Sequence, residues 1–114
     1  MEDLDAPICQ KGYNLYKTFY NYRNTIKKQD RFGIWLRAEN LILEILENLL
    51  LASLIAKTEK LPILNQVSAK LNLLRVTLRL AKEVQVIDLK KYIALQTIID
   101  EIGRMLGGWI KSLK

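Results

Sequence analysis

Apolar residues recur along the chain at alternating spacings of three and four, the pattern of one helix face, in four separate stretches. The first starts near Pro7, a residue suited to a first helical turn. It sets Ile8, Gly12, Leu15, Phe19, Tyr22 and Ile26 on one face. It stops between Lys27 and Gly33, where Asp30 is placed to cap the next helix. The second, about Ile34 to Lys57, carries a polar stripe of Arg37, Asn40, Glu44 and Glu47 with leucines and isoleucines on both sides, and Leu51 continues that stripe. The third follows Pro62. Leu64, Val67, Leu71, Leu74, Leu78 and Ala81 form its main face, and Ala69, Leu73, Val76 and Leu80 widen it. The fourth begins at Asp88 as N-cap and aligns Leu95, Ile99, Ile102, Leu106 and Trp109.

No stretch shows the sustained period-two alternation of a strand. Connections of roughly two to eight residues make sequential helices antiparallel neighbours. The expected fold is all-α, an up-down-up-down antiparallel four-helix bundle forming a single domain over residues 1–114. Helices two and three have more apolar surface than a solitary bundle buries, so a homo-oligomeric ring is expected. Leu51, Leu73 and Val76 are the candidates for packing between subunits.

The last helix concentrates three of the chain's five glycines, Gly103, Gly107 and Gly108. Each costs about 1 kcal/mol relative to alanine in a helix interior, which points to close approach of another backbone. Gly103 and Gly107 share a stripe beside Ile102, Leu106 and Trp109, whereas Gly108 lies on the polar side with Arg104. These glycines and Trp109 join the candidate oligomer contacts.

The 114 residues suffice for one core, and half of them are apolar. The most apolar run, Leu41 to Ala56, contains Glu44, Glu47 and Asn48 and is too short and polar to span a membrane. The start, Met1-Glu2-Asp3-Leu4-Asp5, is acidic where an export signal would be basic. Cys9 is the only cysteine, which excludes an intrachain disulfide and suggests a buried, inert thiol. A cytoplasmic protein with no membrane contact is expected.

Charge is uneven. The net +6 includes five cations and no acid between Ala6 and Gln29, namely Lys11, Lys17, Arg23, Lys27 and Lys28. Between Lys60 and Lys82 there are again five and no acid: Lys60, Lys70, Arg75, Arg79 and Lys82. Ser68, Asn72, Arg75, Arg79 and Lys82 fall on one ridge, expected opposite the core. Like charges at that spacing repel. The ridge reads either as a solvated cationic face or as a surface for an anionic partner, of which nucleic-acid phosphate is the first candidate. Such contact would not be sequence-specific. Tyr13, Tyr16, Phe19, Tyr20 and Tyr22 lie among the first group of cations, with packing the first reading and base stacking the second.

An enzyme is not expected. The chain has no histidine, the usual general base, and lacks zinc spacings, a phosphate-binding glycine loop and a nucleophile elbow. Glu39, Glu44 and Glu47 suggest a carboxylate metal site at most, and no cofactor is expected.

Leu74-Arg75, Leu80-Ala81-Lys82, Lys91-Tyr92 and above all Glu101-Ile102-Gly103-Arg104-Met105-Leu106-Gly107-Gly108-Trp109-Ile110-Lys111-Ser112 resemble the accessory variability determinant proteins of diversity-generating retroelements. The likeness runs from about Arg31 onward. It implies a small basic four-helix bundle that forms homopentamers, binds nucleic acid and associates with the element's reverse transcriptase. Such proteins support adenine-mutagenised cDNA synthesis from a template repeat RNA, which then replaces a variable repeat in a target gene. The family is also similar to bundle proteins encoded in intervening sequences of 23S ribosomal RNA genes, which leaves a structural oligomer with weak RNA contact as the alternative. By position, the resemblance points to Arg75, Arg79, Lys82, Lys90, Lys91 and Arg104 as nucleic-acid contacts, Arg104 having Glu101 as an alternative partner. The first helix departs most from the family pattern. Lys17, Arg23, Lys27 and Lys28 are candidates from charge alone.

Overall fold

A computed structural model describes residues 6–114, so the acidic start lies outside the described residues. Four α-helices account for most of them: α1 Pro7–Asn21, α2 Ile34–Leu54, α3 Lys57–Glu83 and α4 Leu89–Ser112. No strand occurs among the described residues. Helix α1 packs on α2 and α4, and α3 packs on α2 and α4. Each helix therefore has two neighbours.

Pro7 does open α1, where its missing N–H costs nothing. The helix ends sooner than its periodicity suggests. Tyr22 is its C-cap, and the chain continues through two short 3₁₀ turns, Arg23–Thr25 and Lys28–Phe32. Ile26 lies between the turns in extended conformation and still buries its side chain. The connector from Tyr22 to Gly33 is twelve residues long, beyond the expected range. Asp30 does not cap α2 with its side chain. Gly33 occupies the N-cap position, and the Asp30 carbonyl accepts the Gly33 N–H at 3.2 Å.

Helix α3 starts at Lys57, five residues before Pro62, which sits inside it. A proline there removes one helical hydrogen bond. The start is held from outside: Lys60 donates to the Ala52 carbonyl at the end of α2 and sits 5.7 Å over the Trp109 ring. Only Ile55 and Ala56 separate α2 from α3. At the other end, Gln85 takes φ 67°, and the Gln85 and Val86 N–H groups reach the carbonyls of Lys82 and Ala81 at 3.0 and 2.8 Å. That pair of bonds closes the helix as a Schellman motif. Asp88 then caps α4 as expected, its Oδ1 accepting the Lys91 N–H at 2.8 Å.

The core lines up Leu15 and Phe19, Ile42, Ile45 and Leu49, Leu64 to Leu78, and Leu95 to Leu106. Phe19 and Trp35 stack with ring centroids 3.7 Å apart, and both are buried. Gly12 lets α1 meet α2, since a Cβ there would stand 3.3 Å from Leu46 and Leu49 side-chain carbons. Cys9 is fully buried, its Sγ 3.4 Å from the Ser53 hydroxyl.

The apolar excess is real, but it is placed differently from its expected role in widening the core face. Ala69, Leu73, Val76 and Leu80 are exposed and point away from the core. Val84, beyond the helix end, continues this stripe. Leu36, Leu43, Leu51 and Leu54 are exposed on α2. Among the described residues, no helix is long and apolar enough to cross a membrane.

Candidate nucleic-acid interface

The polar ridge of α3 lies beside α4, not opposite the core. Arg75 donates to Asn72 Oδ1 at 2.8 Å and meets Asp100 Oδ1 at 3.4 Å across the seam. Its guanidinium rests on α4 where Gly103 has no side chain: a Cβ there would be 2.7 Å from Nη2. Gly103 thus makes room for Arg75 within the protomer. Gly107 and Gly108 are exposed, and a Cβ at either position would meet nothing within 4 Å. Ser68, Arg75, Asp100, Gly103, Arg104 and Gly107 line a shallow groove along this seam.

Other cations, on the ridge and beyond it, are also engaged. Arg79 faces Glu83 at 3.9 Å on an exposed surface, where such a pair contributes little. Lys82 sits 4.7 Å over the Tyr92 ring. Lys91 pairs with Asp88 at 2.8 Å and lies 5.7 Å over the Tyr22 ring. The bonds from the Lys91 ammonium and N–H hold the Asp88 carboxyl below its ordinary range. Lys17 stands 5.4 Å over Tyr13. Glu101 pairs with Lys11 of α1, which lowers its pKa, and the alternative Arg104–Glu101 ion pair is not among those formed by the described residues. Glu39 accepts the Tyr16 hydroxyl at 3.0 Å and Glu44 meets Lys70 at 3.1 Å, so both carboxylates serve inter-helix contacts, and no cluster of three or more potential metal ligands occurs among the described residues.

The fold also brings together what lies far apart in sequence. Lys91 reaches Tyr22 in the connector, and Thr25 lines one groove with Lys82, Asp88 and Lys91. The connector, residues 22–33, and the α3–α4 junction, residues 79–92, therefore share one end of the molecule. They contribute Arg23, Lys27, Lys28, Arg31, Arg79, Lys82, Lys90 and Lys91 against only Asp30, Glu83 and Asp88, which is five of the net six positive charges. Arg23, Lys27, Lys28, Lys90 and Arg104 are exposed and have no ion pair among the described residues. Cations placed this way can hold phosphates by contact and charge. A family model described as bAvd-like matches residues 7–113. The chain belongs to the bAvd-like family. No curated protein matches it.

In this bAvd-like protein the seam and the connector end are adjoining basic surfaces, since Arg75 also lines a groove with Arg79 and Tyr92. Arg75 and Arg104 lie along the seam, while Lys82, Lys90 and Lys91 share the end with Arg23, Lys27 and Lys28. Lys17 is part of neither, standing on α1 beside Tyr13, Gln10 and Asn14. Of the expected oligomer contacts, Leu51, Leu73 and Val76 are exposed, whereas Trp109 is half-buried against the protomer's own core. Phe32 escaped the sequence reading because it fits no helical face. It is the most exposed large apolar side chain of the described residues, at 72%.

Proposed function

We propose that this Avd-type protein is a non-enzymatic accessory of a diversity-generating retroelement. It binds RNA or DNA through phosphates without sequence preference and associates with the element's reverse transcriptase, supporting mutagenic cDNA synthesis and retrohoming. The family match supports the Avd-type assignment. The observation that carries nucleic-acid binding is the concentration of cations where the connector meets the α3–α4 junction.

Inter-helix contacts support the up-down-up-down arrangement: Cys9–Ser53 and Tyr16–Glu39, Lys60–Ala52 and Lys70–Glu44, Arg75–Asp100 and Lys82–Tyr92 each fall in number on one helix as they rise on the other. The outward stripe of Leu73, Val76 and Leu80 supports self-association, with the pentamer as the expected ring.

Reversing Arg23, Lys27 and Lys28 to Glu together tests the phosphate reading. Each lost phosphate contact removes about 0.7 from the slope of log affinity against log salt for a single strand. Loss of affinity with a slope flatter by about 2 is expected; unchanged affinity and slope would overturn this site. Capture of the reverse transcriptase by the full chain tests the second partner.

A further inference from the structure

Phe32 contributes nothing to the protomer core, yet the turn that carries it is anchored. It ends the 3₁₀ turn Lys28–Phe32, and the neighbouring Arg31 Nε donates to the Ile26 carbonyl at 3.1 Å, tying that turn to the buried Ile26. In a 3₁₀ turn, residues three apart eclipse one another. Gln29 and Phe32 therefore share one face, and Lys28 and Arg31 the adjacent one. Rising about 2.0 Å per residue, the turn sets Phe32 about 8 Å along its axis from Lys28. That is on the scale of one nucleotide step in an extended strand.

An exposed ring beside exposed lysines has the composition of a single-strand platform, with the ring taking a base face and the ammonium groups taking the flanking phosphates. The nearest acid in the turn, Asp30, is half-buried, whereas Lys27 and Lys28 are exposed and unpaired among the described residues. A protein partner on this surface would have to bring its own carboxylates, while nucleic acid supplies both the charge and the flat apolar face. We propose that Phe32 stacks on an unpaired base while Lys27 and Lys28 hold the adjoining phosphates, so that the connector discriminates single strands from duplex. This rests on the nucleic-acid reading above and adds to it a strand preference with its residue.

The experiment titrates the full chain against a labelled oligothymidylate and a duplex of equal length across a salt series, comparing wild type with Phe32→Ala, Phe32→Tyr and Lys27→Glu/Lys28→Glu. Loss of one stacked base weakens single-strand binding about five- to hundred-fold. Phe32→Ala is expected to show that loss with an unchanged salt slope and unchanged duplex binding. Phe32→Tyr should retain the affinity, and the lysine pair should flatten the slope. Circular dichroism confirms that the variants fold. Equal single-strand affinity for Phe32→Ala, or equal losses on single strand and duplex, would overturn the stacking role. Intact binding with a smaller oligomer would assign Phe32 to a protein contact and overturn it as well. If wild type binds neither probe, the broader nucleic-acid reading fails, and this proposal with it.

Discussion

Gly12 is a residue at which helix packing is tightly constrained. Its missing side chain lets Leu46 and Leu49 fill the α1–α2 seam, and a leucine in its place would have to displace both. Overpacking of this kind costs about 1–3 kcal/mol. Gly12→Leu is therefore expected to lower the unfolding free energy by that amount, read as a lower denaturant midpoint, while Gly107→Ala, with open space around it, raises protomer stability by up to about 1 kcal/mol. The tail glycines drew attention because their helix cost is visible locally. The reason for Gly12 is invisible in the same way, since its neighbours lie more than thirty residues further along the chain. Gly103 falls between the two: its purpose is Arg75, one helix away.

At the scale of elements, helix existence and the main core faces were legible, while several ends and the outward turn of one flank of α3 were not. Asp88 could be recognised as an N-cap because its partner, the Lys91 N–H, is three residues away. Pro62 misled because the start of α3 is secured by Lys60 contacting α2 and Trp109, neither adjacent in sequence. The ridge of Arg75, Arg79 and Lys82 was legible as a ridge, but its placement beside α4 required knowing that Leu73, Val76 and Leu80 turn outward. The end of α3 offers a direct test. Gln85 holds a left-handed conformation that costs a side-chain-bearing residue about 1–2 kcal/mol and glycine far less. Gln85→Gly is expected to stabilise the protein by about 1 kcal/mol, read as a higher midpoint in chemical unfolding at unchanged cooperativity.

Across the whole molecule, two kinds of surface meet at one end, where Leu80 and Val84 of the apolar stripe fall within residues 79–92. Cations collect where the connector meets the α3–α4 junction, and apolar residues form an outward stripe along α3. Local sequence revealed both inventories, but only folding joined residues 22–33 to residues 79–92. If the stripe mediates self-association, Val76→Asp is expected to give a smaller particle by light scattering with the helical content of wild type. A particle of unchanged size would remove that stripe from the interface.

The buried Cys9 has a practical consequence. As the only thiol, enclosed between α1 and α2 beside Ser53, it is shielded from reagents while that seam is shut. Alkylation of the native protein would then proceed only through opening of α1, so its rate clocks the excursions of that helix without any introduced label.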